Sequence, residues 1–180
     1  MFANQISQAT AILRSGGIIA YSTETVLGLG CDPNNENAVN RILWLKNRAV
    51  EKGLILIVAD IQAMQQHTQA LSEAQIKRIA STENTTWLVP ARTDTPKWIV
   101  GKFENLAIRI TTHPTALKLC ASNQSITSTS ANISGYKTLN SRQEIRDWFG
   151  PHIDYVIIGK PGTGIPSEIQ DLLSGEKLRR

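Results

Sequence analysis

Gly53-Leu54-Ile55-Leu56-Ile57-Val58-Ala59 is an apolar run of strand length, released by a glycine and interrupted by no polar residue. A strand with one wet face alternates, whereas a strand apolar at every position is covered on both faces. The run therefore predicts a strand inside a layered α/β structure. Upstream, Asn35 is placed to cap a helix whose Ala38, Val39, Ile42, Leu43 and Leu45 share an inward face. Arg41, Lys46 and Arg48 fall near its end, where cations complement the helix dipole. Before it, Asn4 to Ser15 sets Ile6, Ala9, Ile12 and Leu13 on one helical face and closes at Gly16-Gly17. Ile18 to Tyr21 reads as a short strand. Ser22 to Pro33 carries so many hydroxyls and glycines that it reads as a strand end opening into a loop.

Downstream, Ser72-Glu73-Ala74-Gln75 has the form of a capping box, and Ser141-Arg142-Gln143-Glu144 opens a second capped helix through Trp148-Phe149. Thr85 to Val89, Leu106 to Ile110, Ile126 to Thr129 and Tyr155 to Ile158 read as strands, and Pro114 suits the first turn of a helix reaching about Cys120. The alternation of elements gives an α/β fold with a mixed sheet. Arg92 to Glu104 and Gly159 to Pro166 are the least regular stretches and read as candidate flaps. No period of 20 to 50 residues and no low-complexity linker divides the chain.

The 180 residues are 41% hydrophobic and 19% charged, which supports one domain over 1–180 with a core of its own and excludes a disordered chain. No window approaches the roughly 18 consecutive apolar residues of a membrane span, and the opening residues do not read as a secretory signal, so a cytoplasmic protein without membrane attachment is expected. Cys31 and Cys120 are too few for a disulfide framework and read as buried thiols of a reducing compartment. A net charge of +4 favours anionic partners without naming them: nucleotides, carboxylates and RNA all stay open.

Dinucleotide, P-loop, zinc-protease and serine-hydrolase motifs are absent, and His67, His113 and His152 stand apart from any ligand cluster, as surface or capping histidines. What remains are hydroxyl and cation groups at element ends: Ser22-Thr23-Glu24-Thr25, Lys46-Asn47-Arg48 with Lys52, Arg109 on its strand, and Ser128-Thr129-Ser130-Ala131-Asn132. Loops converge at strand ends in α/β sheets, so separated clusters of this kind can build one site. Guanidinium and ammonium groups grip phosphate and carboxylate while hydroxyls and amides satisfy the remaining lone pairs. With no general base evident, the set suits transfer at phosphorus, where positioning and charge stabilisation dominate. Each cluster also has a plain reading. Lys46 and Arg48 fit a solvated helix end, and Ser128 to Asn132 a capped turn. Arg109 interrupts an apolar strand and needs an anion, which Glu24 could supply as an internal salt bridge.

Tyr21-Ser22-Thr23-Glu24-Thr25-Val26-Leu27-Gly28-Leu29-Gly30-Cys31-Asp32 resembles the YPTETVYGLGCD segment of the YrdC family, and Lys46-Asn47-Arg48 with Ser130-Ala131-Asn132 resembles its KxR and SxN motifs. Leu106 to Arg109, His113-Pro114, Thr129 to Gly135, Phe149-Gly150, Pro166 to Ile169 and Leu178-Arg179 extend the resemblance over nearly the whole chain. It implies a single-domain twisted mixed sheet with flanking helices and a concave, positively charged face. It also implies a nucleotidyltransferase that converts L-threonine, bicarbonate or CO2, and ATP with Mg2+ into threonylcarbamoyl-AMP and pyrophosphate. The product would serve threonylcarbamoyladenosine formation in tRNAs reading ANN codons, with partner proteins of the TsaB, TsaD and TsaE type.

By resemblance, Lys46, Arg48 and Arg109 are the catalytic cations. Arg48, Lys52, Ser130, Asn132, Thr138 and Arg179 would hold ATP, and Thr23, Arg109, Ser128 and Ser167 would hold threonine. Ser22 and Ala49 stand where the family has prolines, Ser81-Thr82-Glu83-Asn84 replaces a WPGP segment, and a histidine often found at the position of Ile57 is absent. The rival reading is a module that binds tRNA or double-stranded RNA, or a maturation factor holding nucleotide without turnover. Trp44, Trp87, Trp98 and Trp148 sit singly, mostly at core positions of the expected elements, and form no aromatic-interleaved basic patch for that role.

Overall fold

A computed structural model describes residues 2–157, 159 and 162–179. The run that opens the sequence reading forms β3 (Ile55–Val58) near the middle of a mixed sheet. Leu56 and Val58 join one apolar cluster and Ile57 the other, so the strand is covered on both faces as its composition requires. The remaining strands are β1 (Ile19–Ser22), β2 (Leu27–Gly30), β4 (Thr85–Pro90), β5 (Asn105–Ile110), β6 (Ser125–Ser130), β7 (Tyr155–Ile157), β8 (Glu168–Asp171) and β9 (Lys177–Arg179). Among the described residues they order as β7-β1-β2-β6-β3-β5-β4-β8-β9. The β1/β7, β3/β5 and β4/β8 pairs are parallel and the others antiparallel.

Two helices, α1 (Phe2–Arg14) and α6 (Pro114–Asn123), pack on one face of the sheet over Ile19, Tyr21, Ile57, Ile126 and Ile157. The opposite face carries α2 (Glu36–Leu45), α3 (Ile61–Gln65), α4 (Glu73–Ala80), α5 (Lys97–Val100) and α7 (Arg142–Phe149), whose apolar sides close over Leu56, Val58, Trp87 and Ile108. Asn35 caps α2 through Ala38 N–H at 3.0 Å, and both expected capping boxes form, at Ser72 with Gln75 and at Ser141 with Glu144. Cys31 and Cys120 are buried thiols whose pKa burial pushes up to about 12. No helix among the described residues is long and apolar enough to cross a membrane.

Several expectations need correction. The hydroxyl- and glycine-rich stretch after Ser22 is not loop throughout, because Leu27-Gly28-Leu29-Gly30 is a fully buried strand. Its glycines let neighbouring chains approach: a Cβ at Gly30 would lie 2.5 Å from the Thr127 carbonyl and 2.8 Å from Tyr21 Cε1. Arg92 to Glu104 contains the one-turn helix α5 with Ile99 and Val100 buried. The short α3, β8 and β9 were not anticipated. Trp87 is core, but Trp44 and Trp148 are 68% and 46% exposed, Trp44 edge-on to His152 and Trp148 edge-on to Tyr136. The expected strand end at Ile158, and Lys160 and Pro161 of the second candidate flap, lie outside the described residues.

Gly30→Ala is expected to destabilise by roughly 1–3 kcal/mol through overpacking. Urea unfolding should show a lowered midpoint with an unchanged slope.

Candidate active site

Register decides where the site lies. Ile55 pairs with Ser128, Ile57 with Arg109, Leu88 with Ala107 and Thr86 with Ile169, so Ile55, Ala107, Arg109, Ser128, Leu88 and Ile169 all point to the face that carries α1 and α6. Those helices contact β1, β3, β6 and β7, and the β5, β4 and β8 side of the face stays open as the floor of a cavity of about 1000 Å3. Thr23, Arg48, Lys52, Arg109 and Ser128 line it, and so do Ser130, Thr138, Ser167 and Arg179. Sequence positions 156 apart thus meet in one hollow.

Arg109 is 5% exposed at the floor, and its Nη2 lies 3.4 Å from Glu24 Oε2. Both the internal salt bridge and the cavity position left open by the sequence are realised at once. Arg48 donates from Nε and Nη2 to the Gly53 carbonyl at 3.2 and 2.9 Å and from Nη2 to the Lys52 carbonyl at 3.2 Å. Arg179 donates to the Ser167 carbonyl at 3.1 and 2.9 Å, and Ser167 Oγ lies 2.9 Å from Thr86 Oγ1. Burial lowers the pKa of Arg48, and burial followed by the charge of Arg109 lowers that of Arg179. Five cations line the cavity, counting Lys102, and among the described residues only Arg109 has a carboxylate within 4 Å. A hollow of this kind attracts anions.

Lys46 and Asn132 do not line the cavity. Lys46 is 3% exposed, and its Nζ donates to the Ser130 carbonyl, to the Asn132 carbonyl at 2.7 Å and to Asn132 Oδ1 at 3.1 Å. Asn132 Oδ1 also accepts from Ser130 Oγ at 2.6 Å, and Asn132 Nδ2 donates to the Tyr136 carbonyl at 2.7 Å. The ammonium expected at the phosphates therefore fastens the end of β6 and presents Ser130 to the cavity. Thr23 Oγ1 donates to the Val26 carbonyl at 2.7 Å, which fixes the β1–β2 turn at the rim.

Sequence reasoning missed the wall formed by Leu54, Ile99, Val100, Lys102 and Phe103. The signal available was Gly101-Lys102 after an apolar turn, matching Lys52-Gly53. The two glycines interlock: Gly53 and Gly101 have φ of +59° and +67°, a Cβ at Gly101 would press on the Glu51 carbonyl, and one at Gly53 would lie 2.8 Å from the Ile99 carbonyl. Leu54 N–H donates to Ile99 O at 2.8 Å and Lys102 N–H to Glu51 O at 3.1 Å.

With this geometry in place, relatives become informative. The Sua5/YciO/YrdC family model, described as telomere recombination, matches residues 11–180. The chain belongs to the Sua5/YciO/YrdC family. A protein of Nitrosococcus oceani named threonylcarbamoyl-AMP synthase is 42% identical over 179 residues, 97% of each chain. One of Yersinia pestis with the same name is 42% identical over 93% of this chain and 91% of its own. Among solved structures, P. abyssi Sua5 complexed with L-threonine superposes with a TM-score of 0.84 at 30% identity, over 92% of this chain. The chain spans 50% of that longer Sua5 protein. For this Sua5/YciO/YrdC chain, the fold read from the sequence as an α/β mixed sheet with flanking helices is the family's fold.

Burial, then Arg48, pulls the Lys46 ammonium from 10.5 down to about 8. Between those pH values the unfolded chain binds the extra proton, so wild type should gain stability relative to Lys46→Met as pH rises through that window. At neutral pH, Lys46→Met strips the ammonium from three oxygens, of which the Ser130 carbonyl keeps the Asn132 N–H and Asn132 Oδ1 keeps the Ser130 hydroxyl, and should cost on the order of 1–3 kcal/mol. Paired denaturation curves at pH 7 and pH 10 check both statements.

Proposed function

We propose that the protein is a threonylcarbamoyl-AMP synthase, joining L-threonine, bicarbonate or CO2, and ATP into threonylcarbamoyl-AMP with release of pyrophosphate. The observation that carries the reading is the cavity's division of labour. A buried Arg109 among the hydroxyls of Thr23, Ser128 and Ser167 suits an amino-acid carboxylate, while Arg48, Lys52 and Arg179 have no carboxylate within 4 Å among the described residues and suit phosphates. The apolar wall of Leu54, Ile99 and Val100 suits a nucleoside.

In this reading, Arg109 orients threonine by its carboxylate. The threonine amine takes up CO2 as a carbamate, one carbamate oxygen attacks the α-phosphorus in line, and the bond from that phosphorus to the bridging oxygen breaks. Arg48, Lys52 and Arg179 stabilise the charge on the departing pyrophosphate. Thr138 would hold a phosphate oxygen, as would Ser130 once its hydroxyl proton turns from Asn132 Oδ1, with Lys46 and Asn132 supporting Ser130 from behind. Catalysis is then chiefly positioning and preorganised charge, in keeping with a cavity whose lining contains a single carboxylate, Glu104, among the described residues.

Magnesium enters as the companion of ATP: among the described residues no group of three or more His, Cys, Asp or Glu side chains could hold a metal ion. The reading takes residues 1–180 as one catalytic domain. Its product would pass to partner proteins of the TsaB, TsaD and TsaE type, acting on tRNA in the cytoplasm.

Pyrophosphate should be released from ATP and magnesium only when L-threonine and bicarbonate are both present, measured in all four combinations. Arg48→Ala and Arg109→Ala should each lose roughly 100-fold or more in kcat/KM with folding intact, the scale of removing one charge-stabilising donor. Folded wild-type protein that releases no pyrophosphate in any combination would overturn the reading in favour of RNA binding.

A further inference from the structure

We infer that Glu24 is a positioning residue for the amino-acid subsite, holding the Arg109 guanidinium in its working orientation without touching the substrate. The inference rests on the reading of Arg109 as the threonine carboxylate's partner. Glu24 is absent from the cavity lining although Thr23 and Thr25 on either side belong to it. Its carboxylate is held in place by one oxygen. Oε1 accepts from Thr111 Oγ1 at 2.5 Å, from Thr112 N–H at 2.6 Å and from His113 N–H at 3.0 Å. All three donors follow directly on β5, the strand that carries Arg109.

The other oxygen, Oε2, is buried without a hydrogen bond, and so is Arg109 Nε, although Oε2 lies 3.4 Å from Arg109 Nη2. A bidentate pair would close to about 2.7–2.9 Å and occupy two of the five guanidinium N–H groups. This pair is held by charge across a slightly open gap, so the guanidinium keeps donor capacity for a second carboxylate. Arg179 lies close enough for its charge to act on Arg109, and without a fixed anion behind it the buried guanidinium would turn away from the other cations. Burial pushes the Glu24 carboxyl up, but Arg109, the Thr111 hydroxyl and backbone amides outweigh it and hold the carboxyl below its ordinary value.

The backbone of the same residue reaches the opposite rim. The Glu24 carbonyl accepts from Thr163 N–H at 2.8 Å and Thr163 Oγ1 at 3.3 Å, and Gly162 packs so closely that a Cβ there would meet the Glu24 and Thr25 carbonyls. Gly164, Pro166 and Ser167, just beyond, line the cavity. Glu24 thus fixes both the charge at the floor and the segment at the rim.

Glu24→Gln keeps an acceptor for the three donors and removes the charge. Steady-state pyrophosphate release should show the threonine KM raised tenfold or more with the ATP KM within twofold of wild type. Thr111→Val, which removes one of the three anchors, should raise the threonine KM by a smaller factor with the same selectivity. A Glu24→Gln enzyme with wild-type threonine KM, or with both KM values raised alike, overturns the positioning role. Should Glu24→Gln fail to fold, Thr111→Val decides: a rise confined to threonine supports the role, and no selective change overturns it. Wild-type protein that shows neither threonine-dependent release nor threonine binding by calorimetry would sink the synthase reading, and this inference with it.

Discussion

Nine strands spaced about 4.8 Å apart span close to 40 Å, while two helices of about 10–12 Å diameter span little more than half of that. Among the described residues, one face of this sheet carries only the helices α1 and α6, so part of it stays uncovered. Apolar side chains there would form an exposed patch. The chain breaks that surface with Arg109 on β5 and Ser128 on the neighbouring half of the face, set among the apolar Ala107, Leu88 and Ile169. The cavity is the consequence of that mismatch in width, and the polar interruptions in otherwise apolar strands mark where the helices stop.

A guanidinium at the floor of such a hollow has lost most of its water and needs an anion nearby. Glu24 supplies one from the β1–β2 turn, anchored by the residues that follow β5. Arg109 therefore couples two separate parts of the sheet: the turn after β1, on one side of β6, and the strand β5, on the other. Lys46 performs a similar service at the end of α2, where its ammonium joins the helix to the turn after β6. The two buried cations differ in what they leave free. Lys46 has three oxygen acceptors, whereas Arg109 retains an unpaired Nε.

Features that depend on local chemistry were legible in the sequence. Asn35, Ser72 and Ser141 cap their helices because the capping donors lie three residues away, and the doubly covered β3 announces itself by an unbroken apolar run. The hydroxyl and cation clusters were legible as a group because chemistry selects residue types. Their meeting point was not, since it depends on strand register. The strand β2 escaped because half its residues are glycines, which carry no side-chain alternation to read. The wall at Ile99 and Val100 escaped because one helical turn is shorter than the period that reveals a helix. Lys46 was identified by type, but its contacts with the Ser130 and Asn132 carbonyls were not legible, because a lysine at a helix end looks alike whether it faces solvent, phosphate or a neighbouring carbonyl.

The interlocked Gly53 and Gly101 give the cavity an asymmetric mechanics. Their backbones meet without side chains between them and are stitched by the Leu54 and Lys102 amides, so the turn bearing Lys52 and the segment bearing Lys102 behave as one stiff jaw. Its apolar residues Ile99 and Val100 are also rooted in the core beneath. The facing wall, around Gly164 and Ser167, is secured by different partners. Gly162 packs on the carbonyls of the turn after β1, Thr163 and Gly164 donate to the same carbonyls, and Arg179 of the edge strand β9 donates to Ser167. One wall of the hollow is thus rooted in the core, while the other is answerable to the turn that carries Glu24, so the residue behind the floor also governs the rim.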